Sequence, residues 1–181
     1  EQKRMQVYVN TLSGSLNSTL IQLIDNMEYV SNQINMRTIA NRKFKMEMVL
    51  MFNENVTRNS FVSQISIVEN KKKLVVAYPR IKRKIWKKTG KFPDFYYTDS
   101  ESFKLVDYQV NQSEELTSIF FFISKRIRSE KGSRNLIIKF DLSGFIKNQT
   151  RLMNDLNSHF TLLANNPSHQ GLILEDAKPE N

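Results

Sequence analysis

The stretch Ile119–Phe145, IFFFISKRIRSEKGSRNLIIKFDLSGF, decides the fold class. Ile119 to Arg128 and Asn135 to Asp141 are each apolar-rich and of strand length. Ser129-Glu130-Lys131-Gly132-Ser133 between them is a polar, glycine-containing turn, so the pair reads as a β-hairpin. The second strand runs directly into Asp141-Leu142-Ser143-Gly144-Phe145. There Ser143 is placed to cap a helix reaching about Asn157, with Phe145, Gln149, Leu152 and Leu156 on one face. Asp141 is equally suited to capping that helix and to contacting a ligand.

Working toward the N-terminus, Phe103 to Val110 alternates and predicts a strand, with Val106, Tyr108 and Val110 on one face and Leu105 on the other. Ile65 to Val68 and Leu74 to Tyr78 predict a second strand pair around the polar turn Glu69 to Lys73. Before them the period changes. Val9, Leu12, Leu16, Leu20, Leu23, Met27, Val30 and Ile34 recur every three or four residues, which predicts one helix over 5–40 with a narrow apolar stripe. At 1.5 Å per residue such a helix spans about 50 Å, more than the diameter of a small domain. The stripe serves equally as a core face or as the seam of a homodimer. A second helix is expected over 43–57, facing inward through Phe44, Met48, Met51/Phe52 and Val56; Asn53, Asn55 and Asn59 favour its exit. Beyond the late helix, Phe160 to Ala164 and Gly171 to Glu175 predict two short strands, and the tail from Asp176 is polar.

The sum is an α+β domain, a long N-terminal helix packed on an antiparallel sheet of five to seven strands. The expected division is a helical region over 1–58, a sheet-bearing lobe over 59–175 and a tail over 176–181. Whether 160–175 completes the sheet or starts a second lobe is open at this level.

Composition narrows the chemistry. The 181 residues include no cysteine and two histidines, His159 and His169. Disulfides, thiolate metal sites and cysteine nucleophiles are excluded, and neither histidine has a partner motif for metal or relay catalysis. No nucleophile–base pair or phosphate loop is present, so no enzymatic activity, metal or cofactor is expected. The longest apolar run, Ile119 to Ile123, is far short of a bilayer span. The chain begins at Glu1 rather than Met, as an excised or processed fragment would, and flanking membrane helices are compatible with that. The net charge of +9 is concentrated in Lys71–Lys73, Arg80–Lys91 and Lys125–Arg134. It suits a solvated surface, a face near an anionic membrane, or nucleic acid as a rival partner.

The segment Tyr78–Asp99, YPRIKRKIWKKTGKFPDFYYTD, holds the only tryptophan, three of the six tyrosines and seven Lys/Arg. Aromatic walls interleaved with cations suit a small anionic or zwitterionic ligand, because the rings exclude water while guanidinium groups grip a carboxylate. Arg83 either contacts such a ligand or pairs with Asp94 or Asp99, and Trp86 is either a pocket wall or a packing anchor. In an extended chain Tyr96 and Tyr97 point to opposite faces, so at most one of them is expected to face the pocket. Tyr108 and Lys125 can approach the same cavity from neighbouring strands.

This order of elements resembles the extracytoplasmic Cache domains, the PAS-like sensor modules of bacterial histidine kinases, chemoreceptors and diguanylate cyclases. In such domains a long membrane-leaving helix precedes a short strand pair. A ligand loop with Arg, Trp and Tyr follows, then a hairpin whose second strand ends in Asp before a helix. Arg83, Trp86, Tyr96, Tyr97 and Asp141 stand at the matching places. The amino-acid-binding subset carries Tyr, four residues, Arg, one residue, Trp-Tyr, and later a Tyr and an Asp. Here Tyr78 and Arg83 keep the first spacing, two residues separate Arg83 from Trp86, and Lys87 replaces the second aromatic. The resemblance implies a membrane-anchored, ligand-sensing input domain facing the outside of the cell. Its expected ligand is a carboxylate or amino-acid-like metabolite, and it binds no nucleic acid. Arg83 and the Trp86 side would hold the carboxylate, and Asp141 with Tyr96 or Tyr97 the ammonium. A ligand-free dimerisation domain is the remaining rival.

Overall fold

A computed structural model describes residues 2–35, 42–69, 73–80, 97–112, 117–127, 133–152, 161–166 and 169–175. Two helices come first, α1 (Gln2–Asn35) and α2 (Arg42–Arg58). Five strands follow: β1 (Val62–Glu69), β2 (Lys73–Tyr78), β3 (Lys104–Gln112), β4 (Thr117–Ile127) and β5 (Arg134–Asp141). Helix α3 (Leu142–Leu152) leaves the end of β5, and β6 (Thr161–Asn166) and β7 (His169–Glu175) close the chain. The first five strands form one sheet in the order β2-β1-β5-β4-β3, antiparallel at every seam. Strands β6 and β7 form a separate two-stranded ladder and do not extend the main sheet. The expected α+β class holds, with five strands in the PAS-like sheet.

The helices sit on one face of that sheet. Leu23, Met27, Val30 and Ile34 of α1 and Met48 and Phe52 of α2 pack with Ile65 and Ile67 of β1, Ile119, Ile123 and Ile127 of β4, and Leu136, Ile138 and Phe140 of β5. The alternation of strand side chains puts every second residue on this helix face. A fully buried Leu, Ile or Phe contributes about 1.5–3 kcal/mol relative to exposure, so this layer dominates the stability. The stripe of α1 begins differently from its sequence pattern. Tyr8 is buried and Val9 is about half exposed. Residues 36–40, which the pattern assigns to the same helix, lie outside the described residues, as does the side chain of Phe44.

Helix α2 ends as its asparagines suggest. Asn55 Nδ2 donates to Met51 O (2.9 Å), Asn59 Nδ2 donates to Asn55 O (3.1 Å), and Val62 N donates to Asn59 O (2.9 Å). Side-chain amides that compete for backbone carbonyls end a helix and aim the chain into β1.

Helix α3 is fixed by two residues with exchanged roles. Asp141, not Ser143, is the N-cap: its Oδ1 accepts from Gly144 N (2.9 Å) and from Ser143 Oγ (2.9 Å). Ser143 Oγ in turn accepts from Ile119 N (3.1 Å), which ties the helix start to β4. Below it Phe61, Phe140 and Phe145 form an aromatic cluster, with Phe61 and Phe145 edge-on at 5.2 Å.

One register irregularity changes a face assignment. Between Leu105 and Asp107 of β3 the pairing with β4 slips, from Leu105–Ile123 to Asp107–Phe122. A bulge of this kind reverses which residues share a side. Val110 therefore packs in the helix-face core, while Val106 packs on the opposite face with Phe122. The expectation that Val106, Tyr108 and Val110 share a face fails at that bulge.

Candidate ligand-binding site

The face of the sheet away from the helices carries a smaller apolar patch and most of the chemistry. Val68, Phe122 and Ile137 are buried there, with Leu74, Tyr97, Val106 and Phe120 against them. A buried polar row lies beside them: Ser66, Ser124 and Asn135. Asn135 Nδ2 donates to Thr98 O at 2.8 Å and lies 3.4 Å from Ser124 Oγ. Arg126 N donates to Ser100 O at 2.8 Å. At the other end Gln64 Nε2 donates to Pro79 O at 3.2 Å, next to the cis Tyr78–Pro79 peptide. Gln64 and Lys139 are cross-strand partners and share this face. Both flanks of the basic–aromatic segment, Pro79 and Tyr97–Ser100, are thus attached to the same side of the sheet.

Lys139 is a half-buried cation of this face. Its Nζ lies 3.9 Å from the centroid of the Phe120 ring and 5.8 Å from that of Phe122. Partial burial lowers its pKa from the ordinary lysine value, and the Asp141 charge offsets this in part. The Asp141 carboxylate itself is turned toward the first turn of α3: a Cβ on Gly144 would lie 2.6 Å from Oδ2 and 3.4 Å from Oδ1.

The sheet divides the residues singled out from the sequence. Tyr97 and Asp141 lie on the face with Lys139. Tyr78 pairs with Ile65 and packs into the helix-face core. Tyr108 pairs with Phe121 and so shares its side. Lys125 is 8% exposed on the helix face, where its ammonium is paired with the Glu28 carboxylate of α1 and lies 5.5 Å from the Phe103 ring centroid. Lys125 and Tyr108 therefore do not join Tyr97 and Asp141. Asp99, one suggested partner of Arg83, has its carboxylate 4.0 Å from Arg126 at the exposed surface. Arg83, Trp86 and Tyr96 lie outside the described residues.

Lys139, Phe120 and Phe122 escaped the sequence reading. The signal was present in Lys139-Phe140-Asp141, where alternation places the two charges on one side of a strand whose central residue is core. Among the described residues no cluster of His, Cys, Asp or Glu suits a metal, and no helix is long and apolar enough to cross a membrane.

The ligand-binding domain of the Pseudomonas aeruginosa PAO1 amino acid chemoreceptor PctC, solved in complex with GABA, superposes with a TM-score of 0.58. The match covers 90% of this chain and 70% of that one at 11% sequence identity. The two share a fold. The extracellular domain of the histidine kinase vpHK1S-Z8 aligns over 82% of this chain and 62% of that one, at 11% identity and a TM-score of 0.42. A domain of a sensory box/GGDEF family protein from Vibrio parahaemolyticus aligns over 83% and 66%, at 11% identity and 0.43. No protein-family model and no curated protein matches the sequence. The architecture expected from the order of elements, a long N-terminal helix packed on a PAS-like antiparallel sheet, is the one observed.

Proposed function

We propose that the chain is an extracytoplasmic, non-enzymatic ligand-sensing input domain of a membrane-anchored bacterial signalling protein. A histidine kinase, a chemoreceptor or a diguanylate cyclase fits the reading. The ligand is a small anionic or zwitterionic metabolite, bound on the sheet face opposite the helices. The observation that carries the reading is the attachment of both flanks of the Arg83–Trp86–Tyr96 segment to the face holding Tyr97, Lys139 and Asp141. The fold shared with a GABA-bound chemoreceptor domain supports it. Ligand acts as a population shift, biasing the sheet and, through it, α1, by no more than its differential affinity for the two states.

A homodimer through α1 belongs to the same reading, though not through the apolar stripe, which packs in the core. It is supported by Val7, Ile21 and Tyr29, which are 65%, 50% and 65% exposed on the side of α1 away from the core.

The test is a thermal-shift survey of amino acids, carboxylates and purines, followed by calorimetry on any stabilising compound. A hit is expected to quench or shift the fluorescence of Trp86, the sole tryptophan, and to be lost in Arg83→Ala. If nothing in the survey stabilises the protein, the sensor reading fails.

A further inference from the structure

We propose, on the strength of the sensor reading above, that Lys139 is the anchor for the ligand's anionic group, and that the sheet face selects a carboxylate without requiring an ammonium. Three observations carry this. First, Lys139 is half-buried over two aromatic rings, 3.9 Å from Phe120 and 5.8 Å from Phe122. No carboxylate of the described residues lies within ion-pair distance of its Nζ. Ring faces attract a cation but do not neutralise it, so an incoming anion gains a short-range charge partner in a partly desolvated place.

Second, Asp141 is already committed. Its Oδ1 accepts two hydrogen bonds, from Gly144 N and Ser143 Oγ, and Oδ2 lies over Gly144, where no Cβ stands in its way. An ammonium ligand that took over Oδ1 would leave α3 without its cap, so only Oδ2 is open to it. Third, the residues directly beside Lys139 are neutral: Gln64 and Phe122 pair with it from the adjoining strands, and Ile137 precedes it on the same side, while Asp141, which follows it there, is turned to the start of α3.

Four compounds with the same four-carbon chain separate the possibilities: succinate, butyrate, GABA and putrescine. They carry two carboxylates, one carboxylate, a carboxylate with an ammonium, and two ammoniums. Each is titrated calorimetrically into the wild-type chain, Lys139→Met and Lys139→Arg, with the fold of each variant checked by its thermal melt. The expected result is that succinate and butyrate bind wild type and putrescine does not. Lys139→Met should lose tenfold or more of the affinity for both anions, and Lys139→Arg should retain most of it. Unchanged anion binding in Lys139→Met overturns the assignment, as does wild type that binds GABA or putrescine but neither simple anion. In those cases the sensor reading stands with another anchor. If wild type binds none of the four, the anchor is rejected, and the wider survey decides whether the sensor reading falls with it.

Discussion

The Lys125 ammonium on β4 is paired with the Glu28 carboxylate on α1, and the pair bridges the sheet to the long helix. The two ends are unequally buried: the Lys125 side chain is 9% exposed and that of Glu28 36%. Removing Glu28 strands a cation in the interior, whereas removing Lys125 leaves a carboxylate that water can reach. Glu28→Gln is therefore expected to cost about 2–3 kcal/mol and Lys125→Met clearly less, with the double variant Glu28→Leu/Lys125→Met close to wild type. Chemical denaturation of the four proteins measures this. Equal losses in the two single variants would show that the pair is solvated from both sides.

Gly144 presents a sign reversal. Replacing a helical glycine by alanine ordinarily stabilises by about 1 kcal/mol. Here the added methyl would lie 2.6 Å from Asp141 Oδ2 and displace the capping carboxylate. Gly144→Ala is expected to lower stability by about 1 kcal/mol, near the loss from Asp141→Ala, while Asp141→Asn stays close to wild type. For a domain of this size that is a shift of about 2–4 °C in Tm. A raised Tm for Gly144→Ala would mean that the carboxylate relocates without loss.

The elements that announced themselves are those with an uninterrupted period. The stripe from Leu12 to Ile34 and the strands around Ile65–Val68, Ile119–Ile127 and Asn135–Asp141 are apolar at spacings that only one geometry buries. Side assignments survived only where pairing is regular. Val106 changed face because a bulge adds a residue to one strand, and nothing in Leu105-Val106-Asp107 marks it. The site was half legible for a related reason. Residue type suggested Asp141 and Tyr97, but the face occupied by Lys125 depends on register against Leu136 and on the presence of Glu28 ninety-seven positions away. Lys139 was overlooked because a lysine between apolar residues reads as an edge of the core until Phe120 and Phe122 are seen beneath it.

Alkaline titration reports on Lys139. Its pKa is lowered in the folded chain by partial burial, so between that value and the ordinary 10.5 the unfolded chain binds more protons than the folded one. Stability attributable to Lys139 therefore rises with pH through that window. Tyr8 acts in the other direction: burial raises its pKa above 10.0, so the unfolded chain loses that proton first and stability falls above about pH 10. Urea midpoints from pH 7 upward are expected to show a rising limb that Lys139→Met abolishes and a fall beyond it that Tyr8→Phe reduces. Lys139→Met should be no less stable than wild type at neutral pH. A rising limb unchanged in Lys139→Met would place the titrating group elsewhere.

The outward side of α1 tests the proposed association. At 100° per residue Val7, Ile21 and Tyr29 fall within an arc of about 80°, across the helix from Leu23, Met27 and Ile34. Large apolar groups aligned on an exposed face lose water-contacting area when a second copy covers them, at about 25 cal/mol per Å². Wild type is expected to sediment as a dimer at concentrations of tens of micromolar. Ile21→Glu should sediment as a monomer, since a charge at the centre of the seam is desolvated without a partner. Because Ile21 is half exposed and outside the core, the unfolding free energy of the monomer should change by less than about 0.5 kcal/mol. Ligand affinity per chain separates two consequences. If dimerisation and ligand binding are coupled through α1, Ile21→Glu alters the affinity as well as the mass; if the seam is only an anchor, the affinity is unchanged. A wild-type chain that stays monomeric at hundreds of micromolar leaves the aligned residues without a seam.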